Sequence, residues 1–249
     1  MNFNKILKTL IVLVAGAGII GMSLEIKDWV LQSDTFSLES VVVNGNQILQ
    51  TEDVLNQIEV DSESNITDLN LHEIQSAIEA HPYVKAALVS RRFPSTLQIH
   101  IVERKPVAYV SQSDKPLFAT DKEGFLLPLL KGKPLGALPV ITGIDDFPMP
   151  AGGYADSEHV MKALELLVSN FRVDAAYYQN LSEAHFDAKK GLVAYFVNGG
   201  FPVYFGHEDF FDRAEKNFVF FQQAQKEGRY DNIYYVDLRF RDQVVVKYH

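Results

Sequence analysis

The sequence predicts an α+β protein built in three parts: an N-terminal transmembrane helix, a compact β-α-α-β-β domain, and a mixed β-sheet domain with flanking helices. Three observations predict it. No residue from Thr9 to Leu24 is charged, which suits a membrane better than a folded core. Between Phe36 and Val110, apolar residues alternating at strand period flank two short stretches of helical period. Beyond Ala108, strand patterns recur around two longer apolar helical stripes. With 249 residues, 47% of them hydrophobic, there is material for two modest domains.

Residues 6–26 form the predicted span, because Lys8 and Glu25 at its ends can snorkel to the interface. At 1.5 Å per residue this covers roughly 30 Å, about one hydrocarbon core. Lys5 and Lys8 precede the apolar run, while Glu25, Asp28, Asp34 and Glu39 follow it. The positive-inside rule then leaves residues 1–5 as a cytoplasmic stub and places everything after the 27–35 linker outside the cytoplasm. Phe3 and Trp29 stand where interfacial aromatics belong. A cleaved signal peptide is the rival reading, but Gly21-Met22-Ser23-Leu24 lacks a small-x-small site. Gly16-Ala17-Gly18-Ile19-Ile20-Gly21 matches a dinucleotide-binding fingerprint. That fold would continue as alternating strands and helices, whereas two helices follow one another between Thr51 and Ala80, so small-residue packing in a membrane helix is the better account.

The first domain is expected over 36–107. Phe36, Leu38 and Val42 share one face of its first strand, and Asn44-Gly45-Asn46 turns the chain. Thr51 caps a short helix with Val54, Leu55 and Ile58 on one side. Asn70, with Glu73 three residues on, opens a second helix with Leu71, Ile74 and Ile78 inward. Two strands follow, joined by the basic corner Arg91-Arg92-Phe93-Pro94. In the second, Leu97, Ile99 and Ile101 alternate with Gln98 and His100. Pro106 cannot donate to a ladder and ends that pattern.

The second domain is expected over 108–249. Ser157 to Phe171 reads as a helix with Val160, Leu164, Leu167, Val168 and Phe171 on its inner stripe. Leu192 to Val197 and Val203 to Phe205 flank the hairpin signal Asn198-Gly199-Gly200. Phe211, Ala214, Phe218 and Phe221 line another helix, a core stripe rather than a cofactor box. Asp145 to Asp156 reads as a surface connection.

Composition narrows the function. A net charge of −9 argues against nucleic acid as a partner, and the cations Lys85, Arg91, Arg92, Arg104 and Lys105 read as a solvated strand face and turn. There is no cysteine, so disulfides, thiolate chemistry and Cys-ligated metals are excluded. His72-Glu73 begins like a zinc-protease helix, but Ser76 stands where the second histidine belongs. His207-Glu208-Asp209 reads as a helix N-terminus rather than a cation site. No nucleophile elbow or phosphate-binding loop occurs. The expectation is a non-enzyme without cofactor or metal.

The chain resembles the FtsQ/DivIB family of bacterial cell-division proteins over nearly its whole length. The resemblance rests on the Asn44-Gly45 turn, the helix pair, Pro82 with Val84, Arg91 through Pro94 with Leu97, and Glu103-Arg104 with Pro106-Val107-Ala108. It continues with Ala119-Thr120-Asp121 and Gly124, Leu138-Pro139-Val140-Ile141 and Gly143, Val236-Asp237-Leu238-Arg239-Phe240, and a last strand at Val244 to Lys247. The resemblance implies that 36–107 is a POTRA domain and that the chain is a bitopic inner-membrane protein of the division septum. It implies a scaffold required for septum formation, which binds and positions the FtsB/FtsL pair and links early and late division proteins. Other divisome proteins would meet it through the POTRA domain. The alternative is a POTRA protein of outer-membrane assembly or polypeptide secretion, although such proteins carry a barrel or tandem repeats.

If the last strand lies at the sheet edge, its unpaired backbone can accept a partner strand. On the family pattern, Arg239, Phe240, Asp242, Gln243, Val245 and Tyr248 are then the partner-binding residues, joined by Arg213. Arg241-Asp242-Gln243 stands where relatives often carry small residues, which is this chain's own departure.

Overall fold

The computed structural model describes residues 13–22, 34–61, 64–113, 115–145, 148, 152–241 and 243–249. Residues 13–22 are helical (α1), with Leu13, Val14, Ile19, Ile20 and Met22 exposed. The expected span 6–26 extends beyond the described residues at both ends. Among those described, no helix is long and apolar enough to cross a membrane. The rest of the chain divides into two compact units at the Glu103–Arg104 bond.

The first unit follows the expected order: β1 (Ser40–Asn44), α2 (Thr51–Leu55), α3 (Leu71–Glu79), β2 (Val84–Arg92) and β3 (Thr96–Glu103). Its sheet runs β1-β3-β2, with β1 parallel and β2 antiparallel to β3. The alternation in β3 is as read: Leu97, Ile99 and Ile101 are buried, whereas Gln98 and His100 are exposed. Asn70 caps α3 by accepting from His72 and Glu73 N–H. Two details differ. The residue preceding α2 is Gln50, whose N–H donates to Asp53 at 2.8 Å, and Thr51 is already helical. Val42 lies on the open face at 42% exposure, although Leu38 is buried. Leu38 precedes β1, so its orientation is not bound by the strand's two-residue alternation.

Two charged side chains hold this unit together, one of them Arg91, which was expected on a solvated strand face and turn. Arg91 spans the 66–69 loop, donating to Ile66 O (2.6 Å), Thr67 O (3.3 Å) and Leu69 O (2.6 Å). The buried Glu103 carboxylate accepts the N–H groups of Gln47, Ile48 and Leu49 at 2.9, 2.8 and 2.8 Å. Gly45, at φ +89°, lets that loop close, since a Cβ there would lie 2.0 Å from Ile101 O.

The second unit is one nine-stranded mixed sheet. Its strands are β4 (Pro106–Val110), β5 (Phe118–Asp121), β6 (Leu126–Pro128), β7 (Val140–Thr142), β8 (Leu181–Asp187), β9 (Gly191–Phe196), β10 (Pro202–Gly206), β11 (Ile233–Asp237) and β12 (Val245–Tyr248). Their spatial order is β12-β11-β10-β9-β8-β7-β4-β5-β6. Three pairs are parallel, β4–β7, β7–β8 and β10–β11. Helices α4 (Glu158–Val173), α5 (Ala175–Tyr178) and α6 (Phe210–Lys226) pack on one face. Arg104 opens the unit with a buried ion pair to Asp121 (2.7 Å), its guanidinium 3.7 Å from the Phe125 ring centroid.

The helical stripes are rotated from those expected. In α4, Val160, Leu164 and Leu167 are buried as read, but so are Ala163, Leu166 and Asn170, while Phe171 is 56% exposed. In α6, Phe210, Ala214, Asn217, Phe221 and Ala224 are buried, and Phe211 is 42% exposed. α4 and α6 pack against each other as well as on the sheet, so each buries an arc wider than one stripe.

Candidate functional site

The two ends of the nine-stranded sheet differ. At one end β6 is covered: Leu126 N–H donates to Gly153 O at 2.8 Å and Gly152 N–H returns a bond to Leu126 O at 3.0 Å. At the other end, β12 pairs with β11 alone among the described residues.

Backbone direction along β12 follows from two anchors. Leu238 N–H donates to Tyr204 O of β10 at 3.0 Å, so Val236 also faces β10 while Tyr235 and Asp237 face β12. Their ladder partners are Lys247 and Val245. His249 N–H, bonded to Asn232 O at 3.0 Å, keeps the same phase. The backbone N–H and C=O groups of Val246 and Tyr248 therefore point away from the sheet. Val244 and Val246 pack their side chains against the core, and Lys247 Nζ lies 5.1 Å over the Tyr234 ring on the opposite face.

The expected site residues gather around this edge with unequal exposure. Arg239 sits just past β11, held by Asp237 through Nε–Oδ1 (2.9 Å) and Nη2–Oδ2 (2.6 Å) and lying 5.3 Å over the Tyr204 ring. Burial pushes the Asp237 carboxyl up, but the Arg239 hydrogen bonds and charge outweigh it and hold it below the ordinary carboxylate value. Phe240 and Tyr248 are 47% and 38% exposed, Gln243 is exposed, and Val245 is half-buried. Asp242 lies outside the described residues.

Arg213, near the start of α6, turns inward. It donates to Phe205 O, and its Nη2 stands 3.8 Å from Asp209, with only 11% of the side chain exposed. Gly206 joins the two arginines. Its φ is +78°, and a Cβ there would meet Arg213 Nη1 at 2.7 Å and Arg239 Cγ at 3.1 Å. Sequence reasoning missed Asp237, Tyr204 and Gly206 as the support of Arg239. The two-residue Asp237–Arg239 spacing was a signal available for the first of them.

Beside Val244 lies a cavity of about 770 Å³ lined by Arg172, Val173, Phe211, Lys216 and Phe218, among others. It has the size of a ligand pocket but no grouping of catalytic side chains. The hydroxyl most suggestive of chemistry is Thr142 on β7. It donates to Glu183 Oε1 at 2.5 Å and therefore accepts from His185 Nδ1 at 2.8 Å. A histidine nitrogen that donates to the hydroxyl cannot at the same time take its proton, so in this arrangement the hydroxyl's acceptor is Glu183. No metal-holding cluster of His, Asp and Glu occurs among the described residues.

Comparison with known proteins agrees with this architecture. A family model described as POTRA domain, FtsQ-type, matches residues 36–104, and one described as FtsQ/DivIB, C-terminal related, matches 105–247. The chain is 30% identical over 218 residues to the cell division protein FtsQ of Syntrophotalea carbinolica, covering 86% of this chain and 75% of that one. It is 27% identical over 257 residues to FtsQ of Geotalea daltonii, covering 99% and 90%. DivIB of Clostridium tetani is 30% identical over 92 residues, covering 37% and 34%.

Proposed function

This chain belongs to the FtsQ/DivIB family of cell-division proteins, and on that premise we propose that it is a non-enzymatic, single-pass scaffold of the division septum whose open β12 edge docks the FtsB/FtsL pair. One observation carries the reading: of the two ends of the large sheet, β6 is covered by the chain itself and β12 is left with outward backbone groups at Val246 and Tyr248. An added strand would bond there through the main chain, and flanking side chains would select it. Arg239, Phe240, Gln243, Val245 and Tyr248 would supply that selection together with Asp242, while Arg213 would act by holding Gly206 and Arg239 in place. The POTRA domain would serve other divisome proteins and thereby link early and late ones.

Calorimetric titration of the detergent-solubilised chain with an FtsB/FtsL peptide complex tests the edge. Val246→Pro removes an outward N–H, which an edge strand tolerates, so the variant should stay folded and bind at least tenfold more weakly. Val245→Pro removes an inward N–H and should instead loosen the β11–β12 pairing. Arg239→Glu should weaken binding by ~1–3 kcal/mol, and Phe240→Ala and Tyr248→Ala should weaken it through lost apolar contact. If Arg239→Glu and Val246→Pro both bind as wild type while folded, the partner docks elsewhere.

The scaffold reading places both units outside the cytoplasm, on a helix over 6–26 with a short cytoplasmic stub. A periplasm-active reporter fused after His249 should work, and a cytoplasm-only reporter should not. The opposite pattern would refute this topology.

A further inference from the structure

We propose that the loop following β6 is a second membrane contact, a basic and apolar tip that rests on an anionic lipid surface. Phe118 pairs with Pro128, so Leu117 and Leu129 stand side by side where the β5–β6 hairpin opens. They are 41% and 43% exposed, and Leu130 and Leu135 are partly exposed beside them. Lys131 and Lys133 lie between these leucines. The chain carries 32 Asp and Glu residues, yet none falls between Glu123 and Asp145, so the segment that carries Leu129, Leu130, Lys131, Lys133 and Leu135 has no carboxylate of its own, and the acidic residue nearest Leu117 in sequence is Asp114, three positions before it.

The loop is shaped rather than loose. Lys133 N–H closes a turn onto Leu130 O at 3.3 Å, and the Tyr109 hydroxyl donates to Gly136 O at 3.3 Å. Leucines flanked by lysines match an anionic bilayer surface, with acyl chains receiving the former and headgroups the latter. Two lysines and a few leucines hold a membrane weakly on their own. The contact therefore rests on the reading of 6–26 as a membrane anchor, which would keep the tip at high effective concentration near lipid.

Because the chain has no cysteine, a single Pro134→Cys variant places one environment-sensitive dye on the tip and leaves its leucines intact. The full chain is reconstituted into vesicles of phosphatidylcholine, alone or mixed with phosphatidylglycerol, carrying a lipid-bound nitroxide quencher. Quenching should be several-fold greater on the anionic vesicles. Lys131→Glu with Lys133→Glu, or Leu129→Asn with Leu130→Asn, should return it to the neutral-vesicle level. A dye at Val197→Cys, on another exposed turn (67%), should stay unquenched throughout. Flotation of the chain with neutral vesicles reports the anchor separately, so loss of the anchor and loss of the tip contact are distinguishable. A tip dye as silent as the one at position 197, or equally quenched on both lipids, overturns the proposal. Shielding of a lipid-silent tip by an acidic protein would assign the patch to a protein partner instead.

Discussion

Replacing Ile99 with Asp should abolish the cooperative protection of the first unit, whereas Gln98→Asp should leave it nearly unchanged. Ile99 is fully buried and stands between Val43 of β1 and Val89 of β2. A carboxylate there has no partner and would be desolvated against both neighbouring strands and the helices above them. That costs several kcal/mol, a large part of what a domain of this size has in total. Gln98 is one residue away on the exposed face, where substitutions change stability by about ±0.5 kcal/mol. Hydrogen exchange over 84–103 in the intact chain distinguishes the two. Equal loss of protection in both variants would mean that the strand phase is wrong.

Arg104→Met should cost the second unit about 3–5 kcal/mol, because it strands a buried carboxylate. Asp121 is 4% exposed. Its Oδ2 pairs with Arg104 at 2.7 Å, while Oδ1 accepts Glu123 and Phe125 N–H at 2.9 and 3.0 Å. Methionine would keep the packing on the Phe125 ring and lose the charge. For a unit of this length, the deficit corresponds to a fall in Tm of roughly 10 °C. Adding Asp121→Asn should recover part of it, since the uncompensated charge is then gone. The two substitutions should therefore be strongly non-additive in thermal melts followed by near-UV circular dichroism. Additivity within ~0.5 kcal/mol would show that the pair is not coupled.

Arg104 shares a peptide bond with a second buried charge, Glu103. Glu103 is buried in the first unit under three N–H groups of the 47–49 loop, and Arg104 is buried in the second against Asp121. These neighbours in sequence thus close two different units, each with its charge satisfied locally. The sequence marks the pair as a conspicuous charged step before Pro106, but their partners lie 54 to 56 residues upstream and 17 downstream. No local pattern connects such positions.

The candidate edge divides along the same line. The Val236-to-Phe240 stretch and the last strand were legible, as was a terminal position for that strand in the sheet. Which of its backbone groups are free was not, because that depends on the β10–β11 crossover and the ladder phase it imposes. Arg213 and Arg239 read alike in sequence, both as partner-binding residues. In the structure one bonds a carbonyl beneath Gly206 and the other rests half-exposed on Asp237.

Local periodicity by itself determined the β-α-α-β-β order of the first unit, the buried face of β3, the cap of α3, the β9–β10 hairpin and the apolar character of the N-terminal segment. These depend on residues within one or two turns of one another, where side-chain spacing and backbone geometry act directly. Only the tertiary structure decided how far α4 and α6 are wrapped, which end of the nine-stranded sheet is covered, and where each buried charge finds its counterpart. Those outcomes depend on groups far apart in the chain competing for the same surface and the same hydrogen bonds, a competition that is resolved only when the whole unit packs.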